Sequence, residues 1–217
     1  MEGAEFLTLA ESAEAETRVK GSTFLALAAP ALTEEDARAV LAMVQKKHFA
    51  ATHNCSAWRL RGGIWRANDA GEPSGSAGAP ILSAMDGAGL TDCVVVVTRY
   101  YGGTKLGVGG LVRAYSEVAA LALDRAPRLL ATPAARLRIR FPYEHTSAVM
   151  RILERAGTAE AEHGYSGGGT EGEVSFTLPH ADVDEVREQL RETTGGLLAP
   201  EHLEDRVLYR AAPANLS

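Results

Sequence analysis

Cysteine is nearly absent. Cys55 and Cys93 are the only two in 217 residues, they lie 38 positions apart, and no CxxC pair occurs. That excludes a disulfide framework and a structural zinc site, and leaves two small hydrophobes suited to a core in a reducing compartment. Apolar runs approaching the roughly 20 residues that cross a bilayer are also missing. The opening, MEGAEFLTLAESAEAE, is acidic and has neither the basic nor the apolar region of a signal peptide. A cytoplasmic protein that makes no membrane contact is expected. Excess positive charge is lacking too: at a net −6 the molecule is not a nucleic-acid binder of the basic-domain type, so any anion site must be local.

What is present is ordinary globular material, 46% hydrophobic and 23% charged, enough for one large or two small cores. The segment RAPRLLATPA, with Pro127 and Pro133, breaks the pattern after a long helix, and the element order starts afresh beyond it. Two domains are read, residues 1–130 and 133–213. In the first, strands are expected near 5–10, 15–20 and 22–28. A helix capped by Thr33 follows, with Ala37, Val40, Leu41 and Val44 on one face. The runs ATHNCSAWRLR and IWRAN form a hairpin across Gly62 and Gly63, DAGEPSGSAGAP is a loop into a helix at 77–88, and CVVVVTRY is a strand buried on both faces. The second domain reads βαββαβ, the ferredoxin-like split unit, beginning at the strand ARLRIRFPY. The fold class is α+β.

The stretch TRYYGGTKLGVGGLVRAYS, residues 98–116, holds five glycines and three cations, and no acid occurs from Cys93 to Ser116. It is not a P-loop, because Val108 stands where the lysine would be, and Val112 breaks the dinucleotide fingerprint. Two readings are open. The glycines Gly102, Gly103 and Gly107 permit tight strand-to-helix packing, or their N–H groups bind an anion beside a helix N-terminus, helped by Arg99, Lys105 and Arg113. Tyr100 and Tyr101 could stack on bases or anchor a core. His53 and Cys55 share a strand face, and His53 could point to the GEPSG loop. Neither serine of that loop has the glycine two places earlier that a nucleophile elbow needs, so Ser74 or Ser76 reads as a helix N-cap. Asp69 and Glu72 read as a turn and a helix-dipole partner rather than a metal pair. In the second domain Arg136, Arg138 and Arg140 share a sheet face, where Glu160, Glu162, Glu173, Glu204 and Asp205 could answer them.

The pieces ATHNCSAW, DAGEPSGSAGAPIL and VVVVTRYYGGTKLGVGGLVRAYSEVA, in that order over residues 50–120, resemble the IMPACT/YigZ family, bacterial two-domain type. The resemblance implies an N-terminal domain of the left-handed βαβ superfamily that includes a small-subunit ribosomal protein domain and domain four of elongation factor G. It implies a C-terminal ferredoxin-like domain like the last domain of that factor. Eukaryotic members counter activation of an initiation-factor kinase through a chain with an extra N-terminal module, and that mechanism is not carried over. Nucleic-acid binding is the function proposed for bacterial members. The family's loop has two acids before the glycine; here NDAG supplies only Asp69 beside the turn.

The leading expectation is a translation-linked regulatory protein, not an enzyme and without a cofactor or metal, that binds RNA, the ribosome or a translation factor. Its binding set is His53, Glu72, Ser74, Arg99, Tyr100, Tyr101, Gly102, Gly103, Lys105, Gly107 and Arg113. The charge split favours the first domain: residues 1–132 carry 13 basic and 14 acidic side chains, residues 133–217 carry 9 and 14. One alternative is an enzyme acting on a phosphorylated small molecule at a cleft where His53, Glu72 and Ser74 face the glycine-rich turn. Another is a protein-interaction module using the sheet face of the second domain.

Overall fold

In the computed structural model, which describes residues 4–213, the chain divides into two units. Residues 6–130 with 210–213 form one, and residues 4–5 with 131–209 the other. The first three residues of the acidic opening lie outside the described residues.

The first unit runs β1 (Phe6–Leu9), β2 (Ala13–Val19), β3 (Ser22–Pro30), α1 (Glu34–Lys47), β4 (His53–Arg59), β5 (Trp65–Asn68), α2 (Gly78–Gly87), β6 (Cys93–Tyr100) and α3 (Val108–Arg125). Its sheet has the order β2-β3-β6-β4-β5, antiparallel throughout. Helix α1 starts at Thr33, whose side chain accepts from the Asp36 N–H while the Asp36 carboxylate accepts from the Thr33 N–H. The valine run of β6 is buried on both sides because helices cover both faces of the sheet. Val95 and Val97 join Phe24, Ala26 and Ala57 under α2 and α3, and Val94 and Val96 join Ala29, Trp58 and Val44 under α1. At roughly 1.5–3 kcal/mol for each fully buried aliphatic side chain, this strand anchors the unit.

The second unit is built from β7 (Arg128–Pro142), α4 (Thr146–Arg155), β8 (Ala159–Ser166), β9 (Glu171–Pro179), α5 (His180–Thr193) and β10 (Glu201–Ala211). The order β10-β7-β9-β8 is the split βαβ arrangement expected from the element order. Leu137, Ile139 and Phe141 of β7 pack with Val149, Leu153, Val186 and Leu190 of the two helices. The protein is α+β.

Two expectations need correction. β7 does not begin at Ala135 but at Arg128, and it runs through Pro133. The ladder to β9 starts only at Ala134, so β9 never asks for the N–H that Pro133 lacks. The arginine stripe is answered by a different set of acids. Arg136 pairs with Glu162 at 2.9 Å and donates to the Glu160 carbonyl, and Arg140 pairs with Glu173 at 2.6 Å. Arg138, however, takes Glu201 at 2.8 Å. Glu204 is held by Arg206 at 2.6 Å and Asp205 by His202 at 2.9 Å, so neither serves the stripe.

Candidate functional site at the glycine-rich turn

The loop between β5 and α2 is organised by Asp69. Its carboxylate accepts from the backbone N–H groups of Gly75 (2.8 Å), Ala77 (3.0 Å) and Gly78 (2.8 Å), capping α2 from eight or nine residues away in sequence. This overturns the serine cap. Ser76 donates its hydroxyl to the Pro73 carbonyl at 2.6 Å, and Ser74 is exposed in the turn. A serine at either position cannot reach N–H groups that the longer-range carboxylate already holds.

Desolvation raises the Asp69 pKa, but the N–H groups of Gly75, Gly78 and Ala77 outweigh it and hold the carboxyl below the usual range. Asp69→Ala is expected to cost about 1–2 kcal/mol. Because the folded value is the depressed one, this contribution is complete above the unfolded pKa near about 4 and is lost as pH falls through the folded value. Urea titrations of both proteins across that range would show the gap narrowing in acid; a gap independent of pH contradicts the cap.

Beneath the loop lies a buried polar cluster. Glu72 is buried and its side chain is 3% exposed. Its Oε1 accepts from Arg99 Nη1 and from the Tyr115 hydroxyl, both at 2.7 Å. Arg99, 7% exposed in its side chain, also reaches Ser22 Oγ at 3.4 Å, and its Cζ stands 5.5 Å from the ring centres of both Phe24 and Tyr101. Its Nε has no partner among the described residues. Cys55 Sγ contacts the Asp69 carbonyl at 3.0 Å and the Tyr115 hydroxyl at 3.4 Å. Burial pushes the Cys55 and Cys93 thiols up to about 12 and raises the Tyr115 phenol, so none of the three is a ready nucleophile. Both cysteines are free and buried, as expected of small core residues.

His53 stands across from Arg99 in the ladder. Its Nδ1 donates to the Ala70 carbonyl at 2.9 Å, and its Nε2 is 3.9 Å from Glu72 Oε2, too far for a hydrogen bond. Among the described residues no hydrogen bond joins Ser74 to His53 or Glu72, and no group of three His, Cys, Asp or Glu side chains is placed to hold a metal.

The two adjacent tyrosines part company. Tyr100 lies on the other face of the sheet from Arg99, where its hydroxyl meets His48 Nδ1 at 3.0 Å. Tyr101 leaves the strand, donates its N–H to Thr52 Oγ1 at 3.0 Å, and stays 47% exposed.

Gly102 donates to Ser22 Oγ at 3.2 Å and lies directly against the β2–β3 turn. The chain then turns through Gly103 (φ +85°) and reaches Gly107 (φ +73°), the N-cap of α3, which offers no capping side chain. Gly110 and Leu111 donate back to the Gly107 carbonyl; the N–H groups of Val108 and Gly109 have no partner among the described residues, and the first turn holds no acid. Lys105 and Arg113 are exposed and, among the described residues, form no ion pair.

The predicted residues therefore separate into four sets. Tyr101, Gly102, Gly103, Lys105, Gly107 and Arg113 belong to one acid-free surface segment and helix start. Arg99, Glu72 and, half-buried, His53 support it from inside, and Ser74 lies apart on its own loop. Tyr100 is on the opposite face. Tyr115 and Ser22 escaped the sequence reading. The signal for Tyr115 was there: Leu111, Ala114, Tyr115, Val118 and Ala119 form a helical core stripe, and a buried phenol in such a stripe needs an acceptor.

Comparison with known proteins adds the family. The family described as the Impact N-terminal domain matches residues 20–123, a span that includes Ser22, His53, Glu72, Arg99 and Tyr115. An IMPACT family member in the pol 5′ region of Thermus thermophilus is 47% identical over 147 residues, which cover 68% of this chain and 79% of that protein. The family members YvyE of Bacillus subtilis and YigZ of Escherichia coli are 43% and 34% identical, over 52% and 62% of this chain and 52% and 68% of theirs. A crystal structure described as that of a hypothetical protein superimposes with a TM-score of 0.65 at 29% identity, covering 94% of this chain and 98% of the other.

Proposed function

Because the chain belongs to the IMPACT family, we propose that its N-terminal unit binds RNA through the surface from Tyr101 to Arg113, and that a regulatory role linked to translation rests on that binding. One observation carries the reading. An uncapped start of an 18-residue helix, with open N–H groups and no acid in its first turn, is flanked by a half-exposed tyrosine and by Lys105 and Arg113, which form no ion pair among the described residues. Helix N-termini and free cations favour phosphate, and an exposed ring favours a base. Residues 6–130 carry 13 basic against 12 acidic side chains, so attraction must be local rather than global.

The enzymatic alternative is less well supported. Glu72 would have to act as a free acid or base, yet its Oε1 is held by Arg99 and Tyr115. Covalent catalysis would also need a nucleophile, and burial pushes the nearby Cys55 thiol up to about 12.

The test is RNA affinity measured over a series of salt concentrations for the protein and for the Lys105→Ala, Arg113→Ala double variant. The variant is expected to bind more weakly at low salt and to lose about 1.4 from its salt slope, since each phosphate contact on a single strand contributes about 0.7. Equal affinity and equal slope would sink RNA binding at this surface and turn the search to a protein partner.

A further inference from the structure

Resting on that reading, we propose that the RNA taken here is single-stranded, with unpaired bases stacked on Phe49 and Tyr101 and the phosphates tracked by Lys20 as well as Lys105. Neither Phe49 nor Lys20 belongs to the glycine-rich stretch. The fold brings both to it.

Phe49 follows α1 and is 87% exposed, so its ring faces are open to a ligand. Its neighbours are bonded to the end of β6. The Thr52 N–H donates to the Arg99 carbonyl at 2.9 Å, Thr52 Oγ1 accepts from the Tyr101 N–H at 3.0 Å, and the His48 ring meets the Tyr100 hydroxyl at 3.0 Å. The segment carrying Phe49 is thus laced to the segment carrying Tyr101. On the other side, the β2–β3 turn touches Gly102 so closely that a Cβ at Gly21 would lie 2.8 Å from the Gly102 carbonyl oxygen. Lys20, the residue before Gly21, is exposed and, among the described residues, forms no ion pair.

The Tyr101 ring is also positioned for stacking. The Arg99 guanidinium lies 5.5 Å from its centre and is itself clamped by Glu72, so the ring rests on a fixed support while nearly half of the residue faces water. Glu72 and Arg99 are positioning residues in this arrangement. Two exposed rings beside Lys20, Lys105 and Arg113 fit a single strand, whose bases offer free faces. A duplex hides those faces and is held by phosphate contacts along a longer basic stripe, which this near-neutral unit does not have.

The experiment compares a labelled oligouridylate of roughly 10 nucleotides, a length within single-strand site sizes, with an RNA hairpin of similar charge. Phe49→Ala and Tyr101→Ala are each expected to weaken oligouridylate binding roughly 5- to 150-fold, the range for one base stacked on an aromatic ring. Their salt slope should stay unchanged and Tyr101→Phe should retain affinity. Lys20→Ala should lower the slope by about 0.7. Tryptophan fluorescence confirms that each variant is folded. If both alanine variants bind as the parent does, or the hairpin binds as tightly as the single strand, the inference is overturned. Should the Lys105, Arg113 double variant still be weakened in that case, RNA binding at the turn stands without base stacking. If that variant too is unaffected, the broader reading falls with it.

Discussion

Glu72→Ala is expected to destabilise the N-terminal unit by about 3–5 kcal/mol, the cost of leaving a buried charge without its partner. The substitution removes the acceptor of two 2.7 Å hydrogen bonds. Arg99 would keep a single side-chain hydrogen bond, the 3.4 Å contact to Ser22, and the fully buried Tyr115 hydroxyl would be left with the Cys55 thiol. Urea unfolding followed by tryptophan emission isolates the effect, because Trp58 and Trp65 are the only tryptophans and both belong to this unit. Removing the charge and its partner together, in Glu72→Leu, Arg99→Met, should cost less than the single change, the signature of a coupled pair. If Glu72→Ala loses under about 1 kcal/mol, the clamp is not a stabilising element. The double variant also separates support from contact: if Arg99 only holds Tyr101 from beneath, the salt slope of RNA binding stays at its parental value even where affinity drops.

The sequence made the elements readable because their patterns were strong: the valine run of β6, the capped start of α1, the two glycines of the hairpin, and the βαββαβ order of the second unit. The motifs also named residues that the fold brings together, since His53, Glu72 and Arg99 do meet around one loop. What could not be read was burial. Arg99 reads as a cation offered to a ligand, but the register that sets it opposite Phe24 and His53 turns it into the core, where only Glu72 can balance it. The same alternation sends Tyr100 to the far face. Long-range contacts were equally hidden. Asp69 caps a helix across its own loop, a job that local rules assign to a serine, and it is Glu201 of β10, the strand paired with β7, that meets Arg138 in place of Glu204 and Asp205. Phe49 carried no motif at all, and only the bonds from Thr52 to β6 bring its segment beside Tyr101.

Gly102→Ala is expected to be among the most damaging small substitutions in the chain, and Gly103→Ala next to it far milder. A Cβ on Gly102 would sit 1.8 Å from the carbonyl carbon of Gly21, 2.0 Å from its oxygen and 2.3 Å from the nitrogen of Ser22. All three are backbone atoms of a tight turn whose residues Val19 and Ser22 pair with each other, so no side chain can rotate away. The turn would have to lift, breaking the Gly102 bond to Ser22 Oγ and straining the Thr23–Tyr100 pairing beside it. Overpacking typically costs about 1–3 kcal/mol and occasionally more, and a clash with backbone that cannot rotate away belongs at the upper end, about 3 kcal/mol. At Gly103 an added Cβ meets nothing within 4 Å, and the only penalty is the left-handed backbone at φ +85°, about 1–2 kcal/mol. Urea midpoints of the two variants measure the difference directly; equal losses would mean that the turn yields and the close approach is not required. If the difference appears, the first glycine of the pair is there for packing rather than for phosphate. It lets the β2–β3 turn come against the loop, and with that turn comes Lys20, so a steric requirement of the fold brings Lys20 to the surface proposed to bind RNA.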